Sequence, residues 1–156
     1  MAQAIQVLLA GESWFSHTVH TKGFDSFEMS SYHEGGTELI AALRAGGIDV
    51  TYQPSHIAAE HFPSTMDAIA AFDVVILSDI GANTLLLPQE TAIRSVPTPN
   101  RLELIRDYVK GGGGLLMVGG YLTFQGILAK ANYYGSPVET VLPVALLPGD
   151  DRNEQP

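Results

Sequence analysis

Residues 111–126, GGGGLLMVGGYLTFQG, read as a loop, a buried strand and a tight glycine turn. Leu115, Leu116, Met117 and Val118 are consecutively apolar, the signature of a strand covered on both faces rather than one. The four glycines before them fit a helix-to-strand connection. Gly119-Gly120 follow at the strand's carboxyl end, and the turn presents Tyr121. Working outward, the same kind of strand recurs at residues 5–10 (IQVLLA), ending at Gly11, and at residues 73–78 (DVVILS). A further strand, residues 49–53 (DVTYQ), is stopped by Pro54.

Helical patterns lie between these strands. From Thr37, which can cap, Leu39, Ile40 and Leu43 fall on one face, and Gly46-Gly47 end the segment. Ser64 with Asp67 resembles a capping box for a short helix carrying Met66, Ile69 and Ala70. Thr98 as cap, with Pro99 at the first helical position, opens a helix that buries Leu102, Ile105 and Val109. Strands alternating with helices imply a three-layer α/β/α domain around a doubly wound parallel sheet. The predicted strand order is the flavodoxin-like 2-1-3-4. Residues 12–36 are polar and aromatic without a sustained period and are expected to form a long loop. Beyond Gly126, residues 127–132 are weakly helical, and residues 141–147 are a candidate extra edge strand, since Pro143 suits an edge. The domain is drawn at residues 1–148, with 149–156 as a polar tail or linker.

Composition narrows the function. The chain has 156 residues, 46% hydrophobic, enough for one core. No apolar run approaches the ~20 residues of a membrane span, and no basic leader precedes the first strand. Eight Lys and Arg against 17 Asp and Glu give a formal charge of −9 without a basic patch, which argues against nucleic acid and anionic membranes as partners. With no cysteine, disulfides, thiolate metal sites and a cysteine nucleophile are excluded, and a cytoplasmic location is expected. Neither a G-x-G-x-x-G nor a G-x-x-x-x-G-K-[ST] motif occurs, so no nucleotide and no other cofactor is expected.

In an open parallel sheet, ligands bind beyond the carboxyl ends of the strands, near the switch point in strand order. That rule gathers Gly11, Glu12, Ser13 and Trp14, then Ser78, Asp79, Ile80 and Gly81, and beside them Gly119, Gly120 and Tyr121. Gly119-Gly120 either let the backbone approach a ligand or simply turn it. Trp14 and Phe15 either pack the loop onto the sheet or stack on a flat ligand. Glu12 and Asp79 are either an acid–base pair or acceptors for loop amides. His17 and His20, with His33 and Glu34 further on, are candidate metal ligands only if the segment brings them together. His56 and His61 read as structural or solvated.

The stretches VLLAGESW, YHEGGTELIAALRAGGIDVTY, DVVILSDIGANT, GGGGLLMVGGYLTFQG and GSPVETVLPV resemble, in order and spacing, the class I glutamine amidotransferase-like superfamily. Within it they are most similar to a branch of putative glutamine amidotransferases described as cytoplasmic proteins, close to trehalose-utilisation-type proteins. The resemblance covers most of the chain and implies a nucleophile elbow after a central strand, carrying a cysteine in a G-x-C-x-G setting, and a later H-x-E pair. Here the matching residues are Gly119-Gly120-Tyr121-Leu122-Thr123, no H-x-E occurs, and all five histidines precede Pro63. Hydrolysis of glutamine by a thiolate–imidazole mechanism is thereby excluded for this chain.

The expectation is a domain that binds a small polar or sugar-like metabolite at the strand ends. Its rivals are a hydrolase or isomerase using carboxylates or a His-bound metal, and a structural or interaction module. Because relatives of this kind are longer, the sheet is expected to be incomplete at its last strand, which favours a homo-oligomer.

Overall fold

A computed structural model describes residues 4–152. Four strands, β1 (Gln6–Gly11), β4 (Asp49–Gln53), β5 (Val74–Ser78) and β6 (Gly114–Val118), form one parallel sheet in the order β4-β1-β5-β6. This is the 2-1-3-4 order expected from the alternating pattern. Register runs Val7 opposite Val50 on one side and Val74 on the other, and Val74 opposite Gly114. Alternate residues of β1 serve opposite faces, because successive strand side chains point to opposite sides. Leu8 and Ala10 join Val75, Leu77, Ile105 and Tyr133 in the larger core; Val7 and Leu9 join Val50 and Ile76 in the smaller.

The two faces are covered unequally. The larger core lies under α2 (Ser55–His61), α3 (Met66–Ile69), α4 (Ala82–Leu86) and α6 (Arg101–Lys110), with a further short helix, α5 (Gln89–Ala92), between the last two. The smaller face is packed by Ile40 and Leu43 of α1 (Thr37–Ala45). Leu116, at the outer strand on that side, remains 50% exposed.

Several local expectations are corrected. Residues 12–36 are not a loop: β2 (Ser13–Lys22) and β3 (Asp25–Glu34) form an antiparallel ribbon with its own two-stranded sheet, turned at Gly23-Phe24. Its period is hidden because both faces mix polar and apolar residues. Helix caps shift by one or two positions. Gly36, not Thr37, precedes α1, without a side-chain cap. Thr65 rather than Ser64 caps α3 by accepting the Ala68 N–H, and Asn100 rather than Thr98 caps α6 by accepting from Leu102 and Glu103. At α3 and α6 the hydroxyl or amide adjoining the first helical residue wins, because it reaches the free amides of the first turn.

Among the described residues no strand follows β6, so the extra edge strand at 141–147 does not form. The segment 138–141 is a 3-10 turn, and the helical stretch of 127–132 shrinks to a 3-10 turn at Ile127–Ala129. Positive φ at Phe124, Gly126, Leu128, Ala129 and Asn132 prevents helical continuation there.

Candidate functional site

All four parallel strands point their carboxyl ends the same way, and the chain leaves β1 and β5 through left-handed backbone. Gly11 has φ +107, and a side chain there would collide with the Ser78 carbonyl. Glu12 and Asp79, non-glycine residues directly after two neighbouring strands, have φ 50 and 48. Each such residue costs roughly 1–2 kcal/mol unless its surroundings hold it.

Both acids are held. The Glu12 N–H donates to the Ser78 carbonyl at 2.7 Å, and its carboxylate accepts the Ser78 hydroxyl in a short hydrogen bond. The Glu12 carbonyl in turn accepts from the Gly35 N–H at 2.8 Å and the Tyr52 hydroxyl at 3.2 Å. Burial, and secondarily the nearby Glu34 carboxylate, pushes the Tyr52 hydroxyl from its ordinary 10.0 up to about 12. Asp79 donates its N–H to Thr123 Oγ1 at 3.0 Å and accepts the Leu122 N–H on Oδ1 at 2.7 Å. Among the described residues, its Oδ2 has no hydrogen-bond partner.

These bonds tie the segment after β6 over the end of β5. Tyr133, fully buried, donates its hydroxyl to the Ile80 carbonyl at 2.8 Å, and burial raises its pKa. Gly120 adjoins Asp79, since a Cβ at Gly120 would lie 3.1 Å from Asp79 Oδ1. Gly120 itself has no positive φ, so contact rather than backbone hand makes glycine suitable there.

A cleft of about 350 Å³ opens in front of this scaffold. Ser13, Trp14 and Phe15 at the base of the ribbon form one wall, and Asp79, Ile80 and Gly81 form the other. Ser55 and His56 close it from the start of α2, with Thr84 and Leu122 completing the rim. Ser13 Oγ accepts the Ser55 N–H at 2.8 Å while Ser55 Oγ donates to the Ser13 carbonyl at 3.0 Å, so two walls are cross-linked. The His56 ring meets Phe15 and Tyr32 edge-on at 6.1 and 5.5 Å, and His33 stacks on Trp14 at 5.4 Å.

The sequence candidates therefore divide. Ser13, Trp14, Asp79 and Gly81 line the cleft. Gly119, Gly120 and Tyr121 line a smaller adjoining hollow of about 210 Å³. Gly11, Glu12 and Ser78 lie behind the cleft as its frame. His17 and His20 sit on opposite faces of the ribbon, His17 bonding Ser30 and His20 stacking on Phe27, so they cannot share a metal ion. No group of three metal-ligating side chains occurs among the described residues. His56 and Ser55 were missed because the strand-end rule was applied to three strands only. Pro54-Ser55-His56 follow β4, and the same rule finds them.

The turn at residues 119–126 is not the expected strand-turn-helix elbow, because no α-helix follows it among the described residues. Tyr121 is exposed, and the turn is instead stapled by Asp151, whose carboxylate accepts the Gln125 and Gly126 N–H groups at 2.8 and 2.7 Å. A groove of about 510 Å³ near Glu60 and Arg94 is a poorer site. Its buried cation, Arg101, is committed to the Ala59 and Glu60 carbonyls at 2.7 and 2.9 Å.

Two solved structures share this architecture. The cytoplasmic protein STM3548 from Salmonella typhimurium is 53% identical, with a TM-score of 0.93 over 96% of this chain and 61% of that one. The cytoplasmic protein STM1381 from Salmonella typhimurium LT2 is 51% identical, with a TM-score of 0.93 over 97% of this chain and 62% of that one. The chain thus spans about three-fifths of their length. No functionally curated protein matches it. A family model matches residues 6–156, a span that begins at the first core strand and includes every residue lining the cleft, and by that match the chain belongs to the family described as "Putative glutamine amidotransferase".

Proposed function

We infer that this amidotransferase-like domain binds a small, neutral, polyhydroxylated metabolite in the cleft between Trp14 and Asp79, and does not hydrolyse glutamine by the cysteine mechanism. The observation that carries the reading is the composition of that cleft. An exposed indole and a phenyl ring line it together with Asp79, whose Oδ2 accepts no hydrogen bond among the described residues. An aromatic face favours the C–H surface of a sugar ring, while a carboxylate oxygen accepts hydroxyl protons and repels anions. Thr84 and His56 add adaptable donors and acceptors at the rim, and the Ser55 hydroxyl, its proton given to the Ser13 carbonyl, keeps lone pairs to accept. Held by Leu122, Asp79 is a binding group with one fixed oxygen rather than a free base. The absence of cysteine removes the nucleophile that the family mechanism requires. By analogy with the two Salmonella proteins, we place the domain in the cytoplasm.

Trp14 is the chain's only tryptophan, so its fluorescence reports on this cleft alone. Titration with neutral mono- and disaccharides and polyols should shift or quench the emission saturably, and Asp79→Asn should weaken the effect. A flat response to every neutral polyol, or tighter binding of sugar phosphates than of the parent sugars, would refute the assignment. Glutamine should release no ammonia.

A further inference from the structure

The ribbon β2–β3 is the largest feature that the cleft does not use. Its ten-residue strands, at ~3.3 Å per residue, make an arm roughly 30 Å long. The arm forms no ladder with the parallel sheet, and beyond its base almost every residue is exposed. A two-stranded ribbon alone is marginal in water, and stability requires a third strand or a covering surface.

Its exposed residues are those of an interface. One face carries Phe15, Val19 and Tyr32; the other carries Trp14, Phe27 and Met29; Phe24 projects fully into solvent at the tip. At these exposures, with aromatic side chains of ~150–250 Å² each, the apolar surface left open is on the order of 300 Å² on each face, with Phe24 adding about 200 Å² at the tip. One face together with the tip thus lies at the upper end of the ~300–600 Å² of the largest patch on a typical monomer, and the unpaired backbone of a strand edge adds to it towards the ~800 Å² per partner of a standard interface. The outer edges of both strands also leave backbone N–H and C=O groups unpaired.

We propose that the ribbon is a dimerisation arm whose occupant is a second copy of this chain, arranged about a two-fold axis. A two-fold contact is self-complementary by construction: the arm's own edge, in antiparallel register, supplies the matching ladder, and Phe27 and Met29 of one face, with Phe24 at the tip, supply the apolar cover. Nucleic acid and anionic lipid do not fit, because the arm carries one lysine, Lys22, against Asp25, Glu28 and Glu34. The contact also bears on the cleft. Trp14 and Phe15 belong to both, so pairing of the arms holds one cleft wall in place.

Light scattering and sedimentation on the full chain test this. The expected mass is that of two chains, falling to one when Phe24, Phe27 and Met29, all away from the cleft, are changed together to serine. Since that variant can also loosen the ribbon, single cysteines provide a second measurement in a chain that has none of its own. Cysteine at Thr18, Ser26 or Ser30 should give disulfide-linked dimers on mild oxidation, and cysteine at Lys110, beyond the opposite end of the sheet, should not. A monomer at high micromolar concentration overturns the proposal. So does a dimer that survives the triple substitution without arm cross-links, or a monomer that floats with neutral lipid vesicles.

Discussion

Substitution at Asp79 separates the scaffold from the ligand. Asp79 combines a left-handed backbone, φ 48, with a 2.7 Å hydrogen bond from the Leu122 N–H to its Oδ1. Asp79→Ala removes the acceptor and puts a residue poorly suited to that conformation in its place. Loss of a hydrogen bond to a charged group costs about 1.5–3 kcal/mol, and the left-handed backbone adds up to about 1 kcal/mol for alanine over aspartate. A total near 3 kcal/mol corresponds to a fall in Tm of about 10 °C for a domain of this size. Asp79→Asn keeps a carbonyl oxygen in the same place and tolerates the left-handed region, so its cost should stay near 1 kcal/mol or below. Urea unfolding followed by circular dichroism checks both, with the midpoint moving and the slope unchanged. If alanine falls within about 0.5 kcal/mol of the parent, within the usual range for surface changes, the clamp on the turn is not what holds this region together. If asparagine is as damaging as alanine, the carboxylate charge rather than the hydrogen bond is structural, and the use of Asn to isolate ligand binding fails.

Two further outcomes follow from buried groups. Arg101→Met should destabilise by about 2–4 kcal/mol, since the α2 carbonyls of Ala59 and Glu60 lose their charged donor in a place that water reaches poorly; a neutral result in denaturant titration would show those carbonyls to be rehydrated at no cost. Folded Tyr52 keeps its proton to about 12, whereas the unfolded side chain ionises near 10.0, so its contribution is complete below pH 10 and is lost as the pH rises towards 12. Tyr52→Phe should therefore make the alkaline fall in stability shallower, and an unchanged slope between pH 10 and 12 would assign that fall to other groups.

The parallel sheet was legible in the chain because β1, β5 and β6 are apolar at successive positions, a pattern only strands covered on both faces sustain. The placement of Asp79 and Gly120 at one end followed directly, since all strands of a parallel sheet share their carboxyl ends. The missing cysteine was equally plain, being a matter of composition. Tertiary structure decided the rest. The ribbon at residues 13–34 escaped the sequence because it packs on neither core cluster of the sheet and both its faces mix polar and apolar residues, so no period of two is written into it. Residues 141–147 carry strand-like side chains, yet a strand needs a partner edge, and the turns locked by positive φ between Phe124 and Asn132 direct the chain elsewhere. His56 lines the cleft because β4 lies beside β1, as the expected strand order already implied, and it went unread only because the strand-end rule was not carried to that strand. Glu12 and Asp79 looked alike as acids after strands, but their surroundings divide them: the Ser78 hydroxyl draws Glu12 into the frame, while Asp79, with one oxygen bonded by the Leu122 N–H, lines the cleft.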